Sequence, residues 1–210
     1  MKEPGSPLLI GIAGGTGTGK TTAARHLCVS HAARGVALLD EDSYYRDRSE
    51  ISAEERESIN YDEPSAIDHD LLFSHAAALL RGESICKPRY SFATHTRGEQ
   101  FDVVGPAPLI ILEGLFALWD PRLCSLMALH VYLDAGADIR LIRRVRRDLR
   151  ERGRSIESIF AQYLKSVQPM HQKFIEPTRK NADLVLDSSF ESWAELDGRV
   201  DGLLAADRNT

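Results

Sequence analysis

The stretch "LLIGIAGGTGTGKTTAA", residues 8–24, combines a short apolar run, a glycine-rich turn of the form GxxxxGK[ST] and a helix-like segment that starts at Lys20. In a strand–loop–helix of this kind, backbone N–H groups and the helix N-terminus face anionic oxygens. The lysine reaches the β- and γ-phosphates, and the threonine hydroxyl is a ligand for Mg²⁺. The context disfavours a chance glycine-rich turn and predicts a nucleoside triphosphate site. The expected phosphate-binding residues of the loop are Gly14, Gly15, Thr16, Gly17, Thr18, Gly19, Lys20, Thr21 and Thr22.

Outward from this stretch, continuous apolar runs alternate with helical patterns. Continuous runs are typical of strands buried on both faces of a parallel sheet. The expected strands are 8–14, 36–40, 109–114, 129–134 and 182–187. The expected helices are 20–34, 64–81, 137–152 and 155–167. This alternation predicts a three-layer α/β fold of the P-loop NTPase type around a central parallel sheet.

Residues 83–105, "ESICKPRYSFATHTRGEQFDVVG", depart from that alternation. They mix polar and apolar positions, and we interpret them as an antiparallel β-hairpin beside the sheet. A plain covering loop is the alternative. The hairpin carries Tyr90, Phe92, His95 and Arg97 within one short stretch. Because functional groups often lie on such excursions, we favour a substrate-binding flap.

Composition limits the classes of protein to consider. The chain has 210 residues, of which 43% are hydrophobic and 27% charged, and its formal net charge is −5. We expect a single domain over 1–210, with no nucleic-acid or membrane partner. Three widely spaced cysteines, without a CxxC pair, fit a reduced cytoplasmic protein better than a disulfide framework or a zinc site.

Acidic residues at strand ends are the candidates to complete a metal shell. "LIILEG" ends near Glu113, and "VALLDED" ends in Asp40 and Asp42. Ligands bind outside the carboxyl ends of parallel strands, so these acids are expected at one edge of the sheet. Plain solvated acids are the alternative. The expected Mg²⁺ site comprises Thr21, Glu113 and Asp42.

Among nucleotide-using proteins, a small kinase is the economical interpretation. A GTPase needs an NKxD motif, whereas residues 180–183 read "KNAD"; the DxxG match at 102–105 follows no clear core strand. A kinase needs a base for the acceptor hydroxyl, cations for the transferred phosphoryl group and a lid that excludes water. Asp42, just past the second strand, is the candidate base.

The candidate lid is an arginine-rich segment over residues 138–156. "DIRLIRRVRRDLRERGR" (138–154) contains eight arginines. The apolar residues between them recur with helical spacing and predict a stripe that anchors the helix. That expected stripe is Leu141, Ile142, Val145 and Leu149. A solvated basic face and a nucleic-acid patch are the alternatives; beside a phosphate loop, arginines that clamp phosphates are favoured.

Seven stretches, in order, resemble the uridine kinase family of P-loop nucleoside kinases, which is related to phosphoribulokinase and to bacterial pantothenate kinase. They lie between about residue 8 and residue 187: "IGIAGGTGTGKTTAA", "LDEDSYYRD", "INYDEPSAIDHDLL", "KPRYSFATHTR", "ILEGLFAL", "DIRLIRRVRRDLRERGRSIES" and "AQYLKSVQPMHQKFIEPTRKNADLVL". The resemblance implies transfer of the γ-phosphate of ATP or GTP to the 5′-hydroxyl of uridine, and also of cytidine, with Mg²⁺ in pyrimidine salvage. It also implies a homo-oligomer, typically a tetramer.

The family pattern assigns roles residue by residue. It implies that Asp42 is the base, that Asp62 holds the ribose hydroxyls and that Glu113 stands for a more usual aspartate near Mg²⁺. The residues implied to act in catalysis are Asp42, Lys20, Arg147 and Arg152. Those implied to lie over the phosphates are Arg147, Arg152 and Arg154. Those implied to bind the nucleoside are Asp42, Tyr45, Tyr61, Asp62, Tyr90, Phe92, His95, Arg144, Arg154 and Gln162.

Some features leave alternatives open. Gly17 stands where the family more often has alanine or serine, which suggests a softer loop. "LDSSFES" after the last strand lacks the family's usual turn near the donor base, so ATP and GTP both remain possible. Asp62 alone could cap a helix before Pro64. A related small-molecule kinase acting on phosphoribulose or pantothenate, and a non-catalytic nucleotide-dependent regulatory module, are the alternative functions.

Overall fold

A computed structural model of the chain describes residues 6–206. Five strands form a wholly parallel sheet in the order β2-β5-β1-β6-β7, and β3 and β4 form a separate two-stranded sheet. In chain order the strands are Leu8–Gly14 (β1), Val36–Asp40 (β2), Ile85–Ser91 (β3), Thr96–Val104 (β4), Leu109–Glu113 (β5), Leu129–Leu133 (β6) and Leu184–Leu186 (β7).

Helices cover both faces of the parallel sheet. They are Lys20–Ser30 (α1), Ala53–Ser58 (α2), His69–Leu80 (α3), Pro121–Cys124 (α4), Ala137–Glu151 (α5), Ile156–Gln162 (α6), Gln168–Met170 (α7) and Phe190–Ala206 (α8). Side chains of the central strand β1 alternate between two cores, as the pleat requires. Ile10 and Ile12 pack in one core with residues of α1 and α8, whereas Leu9 and Ala13 pack in the other with residues of α3 and α4. The expected three-layer α/β fold is confirmed.

The expected elements differ from the observed ones mainly at their ends. The last strand is shorter than 182–187, and the expected helix 64–81 is divided. A 3₁₀ turn, Pro64–Ala66, precedes α3, because Asp68 caps α3 by accepting a hydrogen bond from the Leu71 N–H (3.2 Å). The expected helix 155–167 continues beyond α6 as a wide π-helical turn, Tyr163–Val167. Pro169 follows this turn and has no N–H to give to an ordinary helical ladder.

Residues 85–104 form the antiparallel hairpin that the alternating pattern predicts. The register shifts between Pro88 and Tyr90, where proline cannot donate to the ladder. Lys87 on β3 forms an ion pair with Asp40 at the end of β2. Arg97 on β4 donates to the Tyr44 carbonyl (2.8 Å). These contacts fix the hairpin against the end of the parallel sheet.

The strand order places a ligand-binding edge next to β1. From β1 the chain crosses to β2 on one side and later continues from β5 to β6 on the other, so the direction of winding changes at β1. Crevices at such a change, outside the carboxyl ends of the strands, bind ligands in α/β folds. Glu113 on β5 is in register with Asp40 on β2 and with Ile12 on β1. The predicted convergence of acidic strand ends is therefore present. Across residues 6–206, the helices are all too short or too polar to cross a bilayer.

Candidate active site

The glycine-rich loop connects β1 to α1 in a conformation that requires its glycines. Gly14, Gly17 and Gly19 have φ angles of 146°, 79° and 100°. At Gly17 an added Cβ would lie 2.4 Å from the carbonyl oxygen of Arg140 in α5. The left-handed backbone and the carbonyl contact leave no room for a side chain at Gly17, while the expectation of a softer loop stays a prediction.

Two side chains of the loop bind its own backbone. The Thr18 hydroxyl donates to the Gly15 carbonyl (2.8 Å), and Lys20 Nζ donates to the same oxygen (3.0 Å). Burial lowers the pKa of Lys20, while Glu113, Asp42 and Glu41 act in the opposite sense. The ammonium group is thus surrounded by carboxyl groups and lies at the loop, where a phosphate would contact it.

Thr21 and Glu113 join the start of α1 to the end of β5. The Thr21 hydroxyl donates to Glu113 Oε1 over 2.8 Å. Burial raises the pKa of Glu113, against the effect of Lys20. Within residues 6–206 there is no cluster of three or more His, Cys, Asp and Glu side chains arranged to hold a metal. A hydroxyl and a carboxylate nevertheless fit Mg²⁺, which is usually held by one or two protein oxygens together with phosphates and water.

The turn after β2, Glu41–Tyr44, carries two acids with different surroundings. Asp42 lines the main cavity, and its side chain is exposed there. The protein atoms around the cavity raise the pKa of its carboxyl by desolvation, and Lys20 and Arg152 lower it. Such an upward shift suits a group that must accept a proton near neutral pH.

Glu41, the neighbour of Asp42, is buried and was not predicted as a site residue. Its Oε2 accepts a hydrogen bond from the Phe116 N–H (2.8 Å), and an added Cβ at Gly114 would lie 2.2 Å from that oxygen. Burial raises the pKa of Glu41 to about 8, so the carboxyl is largely protonated at neutral pH. Glu41 therefore connects the turn after β2, which carries Asp42, to the turn after β5, which follows Glu113. Its position between two acids in the sequence gives no sign of this burial.

Aromatic side chains from three segments form one wall of the cavity. Tyr45 contacts Tyr61, Tyr90 and Phe92 at ring-centroid distances of 5.9, 5.0 and 6.2 Å. Tyr61 stacks on His95 at 4.4 Å with an interplanar angle of 14°. Tyr90 Oη lies 3.3 Å from His95 Nδ1. Stacked rings with polar edges suit a planar ligand that carries hydrogen-bonding groups.

His95 stands out because of its backbone. Its φ is 55°, and it is the only residue other than glycine with a positive φ in the part of the chain that the structure describes. Residues held in this region are often functional, since surrounding contacts must maintain the conformation. Burial lowers the pKa of His95, with nearby arginines acting in the same sense, so the ring is neutral at pH 7. A neutral ring can both donate and accept hydrogen bonds.

A polar group faces the aromatic wall. Asp62 accepts a hydrogen bond from the Ser166 hydroxyl (2.6 Å). Arg144 donates to Gln162 Oε1 (2.9 Å) and to the Thr16 hydroxyl (3.3 Å), which connects this group to the phosphate loop. The alternative of Asp62 as a helix cap is wrong, because Glu63 and Asp68 occupy the cap positions. Ser166 was not predicted as a site residue, although it lies in one of the stretches that resemble the family.

Helix α5 does not bury the predicted apolar stripe. Ile142 and Leu149 are 48% and 40% exposed, whereas the buried residues of the helix are Arg140, Arg144 and Asp148. The arginine face turns inward because Arg147 donates to the buried Asp148 carboxylate and Arg144 donates to the Thr16 hydroxyl of the loop. Arg144 also forms an ion pair with Asp148, at 3.5 Å. Apolar spacing alone therefore gives the wrong face here. Sequence reasoning also missed Asp148, which the flanking arginines obscure.

These groups meet in one cavity of about 990 Å³. It connects the phosphate loop to the aromatic wall. The predicted site residues that line it are Thr16, Lys20, Thr21, Asp42, Tyr45, Tyr61, Asp62, Tyr90, Phe92, His95, Glu113, Arg144, Arg147, Arg152, Arg154 and Gln162. The other predicted residues are part of the loop and of the first turn of α1 without lining the cavity: Gly14, Gly15, Gly17, Thr18, Gly19 and Thr22. The structure thus brings the predicted residues together, while their individual roles remain predictions.

Comparison with known proteins places this chain among kinases. A family model described as the phosphoribulokinase/uridine kinase family matches residues 9–192. A uridine kinase of Halalkalibacterium halodurans is 46% identical over 191 residues, which cover 91% of this chain and 90% of that protein. A uridine kinase of Brevibacillus brevis is 46% identical over 193 residues, covering 92% and 90% of the two chains.

Solved structures share the fold at low identity. A putative fructose transport system kinase from Silicibacter sp. superposes with a TM-score of 0.69 at 21% identity, covering 86% of this chain and 90% of the other. Phosphoribulokinase from Rhodobacter spheroides gives a TM-score of 0.64 at 14% identity, with 88% and 73% covered. These likenesses show the fold.

Proposed function

Because this chain belongs to the phosphoribulokinase/uridine kinase family, we propose that it is a nucleoside kinase that transfers the γ-phosphate of ATP or GTP to the 5′-hydroxyl of uridine, and also of cytidine. The observation that carries the proposal is the single cavity that is lined both by Lys20 and Thr21 of the loop and by the aromatic wall. A donor and a planar acceptor then share one water-restricted space. The products would be UMP and CMP, as in pyrimidine salvage.

On the acceptor side, the chemistry of the wall supports a pyrimidine nucleoside. Tyr90 and His95 offer ring faces and a hydrogen-bonding edge to the base. Asp62 has carboxylate oxygens for the ribose hydroxyls, and Arg144 with Gln162 offers further polar contacts beside it. Neither a phosphorylated sugar nor pantothenate has a planar base for this wall to bind.

Asp42 is proposed as the base that removes the proton from the 5′-hydroxyl. It lines the cavity beside Lys20 and Arg152, whose charges affect its pKa. Lys20, Arg147, Arg152 and Arg154 would hold the triphosphate and balance the charge of the transferred group. Thr21 and Glu113, with Asp42 nearby, would hold Mg²⁺. When bound, that ion neutralises charge on the β- and γ-phosphates.

The biological setting belongs to the same proposal. A nucleoside kinase of this family would act in the cytoplasm and would assemble as a homo-oligomer, a tetramer by family resemblance. Exposed apolar side chains on the outer strand of the hairpin, Phe101 (54% exposed) and Val103 (70% exposed), are consistent with a protein contact there. Light scattering of the purified protein measures the assembly.

A substrate screen tests the proposal. Purified protein is incubated with Mg²⁺, with ATP or GTP, and with uridine, cytidine, 2′-deoxyuridine, pantothenate or ribulose 5-phosphate, and products are separated by chromatography. We expect UMP and CMP, and slower reaction of 2′-deoxyuridine because Asp62 loses a hydroxyl partner. Turnover of pantothenate or ribulose 5-phosphate without turnover of uridine would contradict the proposal. ATP and GTP are compared directly, since "LDSSFES" leaves the donor base open.

A further inference from the structure

Asp148 on α5 lies at the centre of an arginine cluster. Its side chain is fully buried, and four guanidinium groups lie within 4.0 Å of its carboxylate. The nitrogen–oxygen distances are 2.8 Å for Arg147, 3.5 Å for Arg144, 3.7 Å for Arg154 and 3.9 Å for Arg152. Two nitrogens of Arg147 approach the same oxygen of Asp148. Nη2 lies 2.8 Å from Oδ1, and Nε donates a hydrogen bond to Oδ1 (2.9 Å).

The backbone carbonyl of Asp148 also binds Arg152 and Arg154, which follow it in the chain. The Asp148 carbonyl accepts hydrogen bonds from the N–H groups of Arg152 (3.2 Å) and Arg154 (3.3 Å). Gly153 between them has a φ of 59°, a left-handed turn that ends the helix and returns the chain toward Asp148. Asp148 therefore organises both the turn and the guanidinium groups that follow it.

Charge explains why this carboxylate matters. One negative charge among four positive ones leaves the cluster with a formal excess of three, and neighbouring guanidinium groups repel one another. All four arginines line the cavity; the side chain of Arg144 is 6% exposed, whereas those of Arg147, Arg152 and Arg154 are 35%, 30% and 27% exposed. The carboxylate thus lies on the protein side of the cluster, and the cavity lies on the other side.

We propose that Asp148 is a positioning residue, which holds the lid arginines aimed at the transferred phosphoryl group before the donor arrives. This inference rests on the proposed kinase function. Asp148 acts through Arg147 and Arg152 and does not line the cavity itself. The Asp148 carboxylate holds the arginines together even when no anion occupies the cavity. When the donor binds, the excess positive charge of the arginines attracts its phosphates.

Asp148→Asn separates positioning from simple binding. The substitution keeps the shape of the Asp148 side chain and removes its negative charge. The guanidinium groups then repel one another and no longer point at the transferred phosphoryl group. We expect kcat for UMP formation to fall roughly 10- to 100-fold, the usual effect of misplacing a reacting group. The site gains one unit of positive charge, so the Kd of Mg²⁺–adenylyl imidodiphosphate, measured by calorimetry, should remain within about twofold or decrease.

The outcomes are distinct. A fall in kcat with an unchanged or lower Kd supports the proposal. Unchanged kcat overturns it, and so does a rise in Kd that parallels a lower melting temperature, because Asp148 would then only maintain the fold. Glu195→Gln is the control: it removes a carboxylate charge at an exposed position of α8, outside the lid and the cavity, and is expected to leave all three quantities unchanged.

A measurement on the unsubstituted protein covers the case in which Asp148→Asn does not fold. In ¹⁵N spectra at pH 7 we expect a slowly exchanging Nε–H signal from Arg147, assigned with Arg147→Lys, that shifts when Mg²⁺–adenylyl imidodiphosphate is added. Rapid exchange of that signal in the free protein would contradict the proposal. Both the spectra and the calorimetry use the donor analogue alone, so they remain informative if uridine proves not to be the acceptor.

Discussion

The guanidinium group of Arg152 lies over the ring of Phe92, with its central carbon 4.4 Å from the ring centroid. Arg152 follows α5, and Phe92 lies in the turn between β3 and β4. Both residues line the cavity. The contact therefore joins the proposed phosphate-binding lid to the proposed nucleoside-binding hairpin, across the space that must exclude water during transfer.

Phe92→Ala should weaken that connection. A cation–π contact of this kind contributes about 0.5–2 kcal/mol, and the aromatic wall also loses area. We expect KM for uridine to rise about tenfold and the hydrolysis of ATP to increase relative to UMP formation, since water enters more readily. Coupled assays for ADP and for UMP measure both. Phe160→Ala, on α6 and 45% exposed, is the control outside the cavity; an equal effect there would refute the explanation.

Asp42→Asn should remove the base without removing donor binding. Turnover is expected to fall at least ~100-fold, with the Kd of Mg²⁺–adenylyl imidodiphosphate nearly unchanged. Asp42 must be ionised to accept a proton, and its pKa is raised by desolvation. The rate of the unsubstituted enzyme should therefore increase with pH through that raised pKa, and the residual rate of the variant should lack this acid limb. Turnover that survives the substitution would exclude Asp42 as the base.

Gly17→Ala tests the close approach of α5 to the loop. The new Cβ would lie 2.4 Å from the Arg140 carbonyl oxygen, at a φ of 79° that disfavours alanine by roughly 1–2 kcal/mol. The loop must shift, so its N–H groups lose their alignment, and donor affinity should fall at least tenfold by calorimetry. Gly202→Ala, in α8 with no atom within 4 Å, should bind the donor normally. Full affinity in the Gly17 variant would show that the loop accommodates a side chain.

His171 should make stability depend on pH. Burial lowers its pKa from an ordinary value of 6.5 to about 4, helped by Arg140 and Lys20. Between these values the unfolded chain binds a proton that the folded chain does not, so the free energy of unfolding decreases as pH falls from 6.5 to about 4. The loss attributable to His171 is at most about 3 kcal/mol.

His171→Gln should abolish that part of the pH dependence. Urea denaturation at pH 8, where both forms of the protein carry a neutral side chain at 171, gives the baseline difference between them. At pH 4.5 the variant should have gained stability relative to the unsubstituted protein. A difference that does not change between the two pH values would show that His171 is not responsible.

Much of the fold followed from the sequence because the signals were local. The apolar runs gave all five parallel strands, and the loop gave the start of α1. The expected helix 64–81 is divided because Asp68 caps α3, so that the helix begins at His69 although the apolar spacing extends further back. Local signals failed more seriously on α5, where an apolar stripe and an arginine face competed for burial. A carboxylate, Asp148, decided the outcome in favour of the arginines.

Much of the site also followed, for a different reason. Residues such as Lys20 and Asp42 could be placed from the loop and the strand ends, because a parallel sheet gathers its carboxyl ends. The residues proposed to bind the nucleoside could be predicted only from the family resemblance, since nothing local in the sequence brings Asp62 near Gln162. Glu41 and Ser166 escaped both approaches. Their importance comes from burial and from partners distant in the chain, Phe116 and Asp62 respectively.

The close approach of the Arg140 carbonyl to Gly17 limits how the proposed arginine lid can move. The first turn of α5 leans directly on the phosphate loop, so swinging the whole helix outward would pull away the support of the loop that it serves. The far end is different: an added Cβ at Gly153 would meet no atom within 4 Å. The backbone therefore has more room after α5 than at its first turn. We expect any opening for the nucleotide to take place beyond the first turn of α5, with the phosphate loop held still.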